Sequence, residues 1–557
     1  MKYSELVEFY RRLGETQSTL EKTSILAELF TEHQENLEDL VLLVMGRPFP
    51  YWKDLDLGIS SKTMKAIISE ATGRSEKDVE RAWKETGDLG LAAERMAEKR
   101  TQRTLGSREV TVERVVETLE TVAEMGEGGG KQGSASMEKK RREVAGLMGD
   151  AEPVEVLYIA RTFIENMRLG IGEGLVRDAL SEAFFDGENV EEIQRAYDLT
   201  NDFSEVASAC RKGIDAVRSL EMEVFRPIKS MLAKKVESVD EGFEEVGSPA
   251  AIDYKYDGIR AQIHVNSGEV RVFTRRLEDI TDQFPDVVEA VRENVDAEKA
   301  IMDTEVVGYD PEDRTTVPFQ KLSRRVKRKY DIEQLRSEIP VEVRPFDLIF
   351  LDGSLIDDPY RERFSKLDSI VSESDEEIRM VDHSVTEDPD DVAKTNSEAI
   401  SEGHEGIMMK AVDADYKPGN RVGYMVKLKP VMETLDLAVI GAKWSEGRRS
   451  GWLGRLKLGC WNEEEQEYEM VGRMATGLTD EQLEKITDRL EPLIIEEDGR
   501  DVTVRPEVIL EVEFEEIQDS PNYSSGYALR FPRMKSFRDD KDRADSLSKV
   551  ENLYSSQ

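Results

Sequence analysis

Three textures follow one another along this chain, and their order constrains the fold more than any single segment does. Residues 1–222 carry apolar side chains at helical spacing: Leu6, Phe9, Tyr10 and Leu13 share one face. Ser18-Thr19-Leu20-Glu21 is a capping-box pattern opening a helix that carries Ile25, Leu26, Leu29 and Phe30. Val110–Val122, Met137–Met148 and Val154–Met167 repeat the pattern. From Ala250 onward the texture turns to short strands rich in β-branched and aromatic residues, at Val270–Thr274, Ala300–Tyr309 and Val341–Leu351. The acidic, Gly-containing stretch Glu237–Ser248 reads as a connector before them. After Pro430, Leu435–Lys443, Leu453–Trp461, Tyr468–Met474 and Val508–Glu515 read as strands of a small β-barrel. The expectation is a multidomain α and α+β protein with helical (1–222), mixed (223–430) and β-barrel (431–557) domains. A length of 557 residues admits roughly three to four domains, each with its own core.

Composition narrows the class. No apolar run approaches the ~20 residues needed to span a bilayer, and Met1–Glu8 lacks a signal-peptide core. Cys210 and Cys460 lie far apart and form neither a zinc nor a disulfide framework, so a reducing cytoplasm and no membrane partner are expected. The formal charge of −40 opposes nucleic-acid binding, which needs Lys and Arg. However, the basic residues cluster, with a cationic island at Lys321–Lys329. Dense surface acid also suits concentrated salt, where repulsion is screened within ~3 Å at molar ionic strength. A salt-accumulating cell is therefore the expected source, with ordinary acidity for solubility as the alternative.

The chemistry gathers around Lys255-Tyr256-Asp257-Gly258-Ile259-Arg260. A K-x-D-G string alone arises by chance and commonly sits in a charged turn; its weight comes from the segments that follow it. A lysine amine, with a pKa near ~10.4, becomes a nucleophile only where cations or desolvation favour its neutral form. Arg260, Arg275, Lys427 and Lys429 could supply such cations, and strand alternation points Lys427 and Lys429 to one face. By itself, that last segment reads as a solvated edge strand. Glu305 lies inside an apolar strand and Glu405 enters another apolar run, where an unpaired acid is costly. Together they could hold Mg²⁺, a hard cation that favours oxygen ligands and substrate phosphates. Asp303 could be a strand-end cap, Phe346 is either core or a base-stacking ring, and His404 reads as incidental. The loop Gly126–Ser134 is glycine-rich, but Lys131 precedes Gln132 and no strand runs into it, so it reads as a loop and not as a phosphate cradle.

Taken in order, several segments resemble the nucleotidyltransferase motifs of ATP-dependent DNA ligases, the replicative type of archaea and eukaryotes. They are Tyr254–Gly258, Thr274–Thr281, Asp303-Thr304-Glu305, Pro345-Phe346-Asp347, Glu405–Lys410, Val426–Lys429, Leu529–Arg533 and Arg538–Lys541. Met167–Gly174 resembles a loop of that family's helical DNA-binding domain, and Trp444–Gly454 a segment of its OB-fold. The resemblance covers essentially the whole chain. It implies a helical DNA-binding domain, an adenylation domain and a C-terminal OB-fold domain. ATP is then the substrate and Mg²⁺ the cofactor, and nicks in duplex DNA are sealed through a lysine–AMP intermediate in replication, recombination and repair. By that resemblance Lys255 is the nucleophile, and Asp253, Arg260, Arg275, Glu305, Phe346, Arg421, Lys427 and Lys429 bind the nucleotide. Glu305 and Glu405 serve the metal, while Arg168, Arg533, Arg538 and Lys541 contact DNA or the leaving pyrophosphate. Two departures stand out: Asp253 replaces the usual Glu, and Thr304 a usual Gly. A monomer is expected, a sliding clamp is a partner the resemblance allows, and Gln102–Leu105 could be an exposed contact. An RNA ligase or capping-type nucleotidyltransferase is the nearest rival, and a non-catalytic nucleic-acid scaffold the more distant one.

Overall fold

The computed structural model describes all residues except 54, 101–107, 128–133, 327–330, 375, 429–432, 476 and 556–557. Lys429, the segment Gln102–Leu105, Lys131 and the end of the cationic island at Lys327–Lys329 therefore lie outside the described residues. The chain forms two compact units. One comprises Met1–Gly58, Val110–Ser136 and Glu165–Pro430; the other comprises Ile59–Glu109, Met137–Ile164 and Val431–Gln557.

In the first unit the helical periodicity is realised as read. Helix Tyr3–Glu15 buries Tyr3, Leu6, Val7, Phe9, Tyr10 and Leu13. Ser18 caps Thr19–Glu32 by accepting from the Glu21 N–H, satisfying one of the donors a helix start leaves open. The mixed region builds two sheets. One has strand order Leu232–Val236, Arg421–Leu428, Ile407–Ala411, Ala250–Tyr254, His383–Thr386. The other is antiparallel, in the order Glu269–Thr274, Ile259–Asn266, Lys299–Gly308, Val341–Leu351. Ile263, Val272, Met302 and Leu348 of its core are fully buried; each such side chain contributes ~1.5–3 kcal/mol by leaving water. Strand Ala250–Tyr254 of the first sheet runs through residues 255–258 into strand Ile259–Asn266 of the second. The Lys255 segment is thus the crossover between the two sheets.

The expected connector at Glu237–Ser248 instead holds a helix, Val239–Val246. Ser238 caps it by accepting from the Glu241 N–H, the Glu241 carboxylate accepts the Glu237 N–H at 2.8 Å, and Val239, Phe243 and Val246 face the sheet. Acids in the first turn favour a helix start, and that outweighed the low apolar content.

The second unit contains helices Ser61–Thr72, Glu76–Thr86, Leu89–Glu98 and Pro153–Phe163 and the β-rich C-terminal region. Strand Leu435–Trp444 is its hub, pairing with Leu453–Asn462 on one side and with both Asp501–Val504 and Ile509–Glu513 on the other. The expected barrel is not closed among the described residues; the sheet is open and branched, with a separate hairpin of Glu516–Asp519 and Tyr527–Arg530. Helix Asp480–Leu490, which strand periodicity does not disclose, buries Leu483, Ile486 and Leu490 against this core. Among the described residues no helix is long and apolar enough to cross a membrane.

Candidate active site

Lys255 is held by its own peptide groups: its N–H donates to the Gly406 carbonyl at 2.8 Å, and its carbonyl accepts the Glu405 N–H at 2.8 Å. Its ammonium is ion-paired with the Glu405 carboxylate, and both side chains are largely buried. The backbone of Gly406 (φ +115°) passes so close to the Leu428 carbonyl that a Cβ would collide with it. Lys255 and Glu405 are therefore fixed to each other by main chain.

Register brings the second acid in. Across the Ile259–Asn266 and Lys299–Gly308 pair, Arg260 faces Glu305, and Glu305 in turn faces Arg344 on Val341–Leu351. Desolvation pushes the Glu305 carboxyl up to about 8, with Glu405 and Asp257 adding to the rise while Lys255 and Arg260 oppose it. Among the described residues no three acidic, His or Cys side chains gather as a metal site. Glu305 and Glu405 therefore fit Mg²⁺ only as a pair completed by substrate phosphates and water, the manner in which Mg²⁺ is commonly bound.

Arg260 grips Asp303 with two hydrogen bonds, Nε to Oδ1 at 2.9 Å and a terminal N–H to Oδ2 at 2.5 Å, and donates a third to the Met231 carbonyl at 2.8 Å. Asp303 is fully buried and also accepts from the Tyr416 hydroxyl at 2.8 Å, so it is a counter-ion and not a strand-end cap. Burial alone would lower the Arg260 pKa; Asp303 overrides it and raises it. Arg275 is lowered, by burial first and then by the charges of Arg260 and Arg421, which marks a cationic cluster suited to phosphate. The Arg421 guanidinium also donates to the Ala233 carbonyl at 3.3 Å. Lys427 is half-buried on strand Arg421–Leu428, opposite Met408.

Phe346 carries Lys410 4.9 Å and Arg260 5.3 Å from its ring centre. Its neighbour Asp347 is structural, bound through two hydrogen bonds to buried Arg363. Asp253 is turned inward: Oδ1 meets His383 Nδ1 at 2.7 Å, and Oδ2 meets Lys410 Nζ at 2.5 Å and the Tyr360 hydroxyl at 3.3 Å. Burial works to raise its pKa, but Lys410 and then His383 prevail and lower it. Sequence reasoning missed His383, Tyr360 and Tyr416. Lys410 could have been found, since strand alternation sets it apart from its apolar neighbours. His404, read as incidental, packs 4.6 Å from the Tyr256 ring with its pKa lowered by burial and then by Arg344.

Four other sequence-predicted cations have settings of their own. In the second unit, Arg538 binds Asp436 (2.9 and 2.8 Å) and Asp540, Lys541 is ion-paired with Asp436, and Arg533 is exposed on strand Arg533–Phe537. In the first, Arg168 is half-buried at φ +58° within Met167–Gly174. Within the cationic island, Arg325 is internal: it is 1% exposed and bound to Asp286 at 2.7 and 2.8 Å.

The structure thus gathers a lysine on the crossover of two sheets, two acids and a cationic cluster. The comparisons give the family. The ATP dependent DNA ligase domain profile matches residues 230–429, the DNA ligase N terminus residues 2–181 and the ATP dependent DNA ligase C terminal region residues 449–541. DNA ligases of Methanopyrus kandleri and Archaeoglobus fulgidus are 43% and 40% identical over 100% of this chain and 99% of their own. The solved structure Pmar-Lig_PreS3 shares the fold at a TM-score of 0.61 and 16% identity, covering 96% of this chain and 99% of its own. The chain belongs to the ATP-dependent DNA ligase family.

Proposed function

We propose that this chain seals nicks in duplex DNA by three phosphoryl transfers through Lys255. The observation that carries the reading is the crossover itself: Lys255 fixed against Glu405 by paired main-chain hydrogen bonds, with Glu305 and Arg260 set beside it by register. In the first transfer the Lys255 amine attacks the α-phosphorus of ATP, forming a P–N bond as the bond to pyrophosphate breaks. The Glu405 carboxylate, already against Nζ, is placed to take the lysine proton. In the second, an oxygen of the 5′-phosphate at the nick attacks the same phosphorus and the lysine amine leaves. In the third, the 3′-hydroxyl attacks the 5′-phosphorus and AMP leaves. Positioning and charge neutralisation supply most of such catalysis. A divalent cation, when bound, would neutralise charge on the triphosphate. Arg260, Arg275, Arg421 and Lys427 hold phosphate oxygens, a role assigned to Lys429 as well, Phe346 stacks on the base, and Asp253 fixes Lys410 and His383.

Arg168 contacts the DNA backbone, and Arg533 engages DNA or pyrophosphate, as do Arg538 and Lys541 once released from Asp436. The helical, adenylation and OB-fold functions are assigned to 1–222, 223–430 and 431–557. A monomer in the cytoplasm of a salt-accumulating cell, assisted by a sliding clamp, completes the reading. The test is transfer of label from α-labelled ATP to protein and then to a nicked duplex, with sealing. The expected result is labelling and sealing by the native chain and neither by Lys255→Ala. Labelling with sealing of nicked RNA alone would favour the RNA-directed rival, and no labelling at any salt concentration would favour a scaffold.

A further inference from the structure

The segment leading into the adenylation fold is fastened along one face of strand Ile259–Asn266. Residues 260, 262 and 264 share that face by strand alternation, and each holds main chain of the incoming segment. Arg260 donates to the Met231 carbonyl at 2.8 Å. Gln262 accepts from the Ile228 N–H at 3.0 Å and donates back to the Ile228 carbonyl at 3.3 Å. His264 Nδ1 accepts from the Phe225 N–H at 2.8 Å, which leaves its proton on Nε2 to be donated to the Gln262 side-chain Oε1 at 2.9 Å. Gln262 and His264 are buried, so the fastening is dry. The Met231 N–H adds a bond to the Tyr416 hydroxyl at 3.0 Å, and that hydroxyl donates to Asp303, the counter-ion of Arg260.

Lys229, inside this segment, reaches instead to the helical part of the same unit. Its ammonium is ion-paired with Glu173 and bonds the Tyr197 hydroxyl at 2.9 Å, with the Tyr51 ring 4.3 Å away. Arg47 lies 4.0 Å from the centre of the same Tyr51 ring. Glu173 opens helix Glu173–Phe185, directly after Met167–Gly172. Lys22, 7% exposed, donates to the Leu169 carbonyl at 2.5 Å and holds the other part of that loop. Burial is the first influence on Lys229 and lowers its pKa against the pull of Glu173.

We infer that Lys229 is a positioning residue that ties the loop Met167–Gly174 to Arg260 of the nucleotide site through the fastened segment Phe225–Met231. This rests on the reading above that the loop of Arg168 contacts DNA. Displacement of the loop by a bound duplex is passed through Glu173 to Lys229, and two residues on to the Met231 carbonyl that orients Arg260. Lys229 thereby serves transfer of AMP to the nick and not formation of the lysine adduct, which needs no DNA.

The test compares the full-length chain with Lys229→Gln, Glu173→Gln, the double variant, Lys229→Arg and the exchange Lys229→Glu with Glu173→Lys. Self-adenylation with ATP alone, AMP transfer from the pre-adenylated enzyme to saturating nicked duplex, and the thermal midpoint are measured for each. Self-adenylation is expected to stay within about twofold, while transfer falls about tenfold in each single variant and no further in the double. Lys229→Arg and the charge exchange restore most of it. Transfer at the native rate, adenylation and transfer falling together, or single effects that multiply in the double variant would each overturn the proposal. Arg168→Ala serves as the independent control: unchanged nick affinity there overturns the DNA-contact reading of the loop, while the Lys229 variants still decide the coupling.

Discussion

Gly258 and Glu305 pass so closely that a Cβ on Gly258 would stand 2.9 Å from Glu305 Cγ and 2.5 Å from the Val306 carbonyl oxygen. The glycine of the Lys255 turn is thus required by contact with the neighbouring strand. Gly258→Ala is expected to cost ~1–3 kcal/mol by overpacking and to abolish adenylation by displacing Glu305. Urea unfolding and nucleotide labelling check the two parts separately; a variant that labels normally would show that the turn has room to yield.

Glu305, raised to about 8 from an ordinary 4.5, binds a proton in the fold that it would lose in the unfolded chain. Over that interval the native state holds more protons, so native stability falls as pH rises from 4.5 to 8. Glu305→Gln has no such liability. It should match the native chain near pH 4.5, exceed it by an amount that grows by up to ~1.4 kcal/mol per pH unit, and level off above pH 8. Denaturant titrations across that range read the difference. A constant difference would mean that the carboxyl is already ionised.

Asp303 answers Arg260 in a buried pair, so Asp303→Asn leaves a guanidinium without its counter-ion. Breaking one side of such a pair costs ~3–5 kcal/mol. The variant should unfold at clearly lower denaturant and bind ATP more weakly, because Arg260 is no longer aimed. Equilibrium unfolding and nucleotide titration provide the measurement.

His264 is lowered to about 3 by burial first and then by the charge of Arg271. Between pH 6.5 and 3 the unfolded ring takes up a proton that the folded ring refuses, so stability is complete above 6.5 and is lost as pH falls. The loss is on the order of 2 kcal/mol by pH 5. His264→Gln should flatten this acid limb in denaturant titrations, whatever its own offset.

The charge of −40 makes the last prediction. Raising KCl from 0.1 M to 1 M shortens the screening length from ~10 to ~3 Å, so the thermal midpoint should climb with salt. Midpoints that do not move with KCl, in a chain intact at low salt, would leave ordinary solubility as the reason for the acid.

What was legible in the sequence followed periodicity. Glu305 stood out as an acid in an apolar strand, and Lys255 through the company its segment keeps. Asp303 was visible, but not its role, because the partner that defines it lies on another strand in register. Helix Val239–Val246 was hidden by its acids and glycine, and the open branching of the C-terminal sheet depends on pairings that no local pattern encodes. The His383–Asp253 contact has no sequence signal at all, since it arises only when strands Ala250–Tyr254 and His383–Thr386 pair. Arg325 misled for the same reason: a basic run says nothing about which member turns inward.

The imidazole of His264, whose Nδ1 receives a main-chain N–H and whose Nε2 keeps the proton, is also a built-in spectroscopic reporter. Its two nitrogens resonate far apart in the neutral ring, and which of them bears hydrogen depends on whether residue 225 is in place. A single labelled histidine, remote from the nucleotide chemistry, would thus tell in solution and during turnover whether the incoming segment stays seated or lets go.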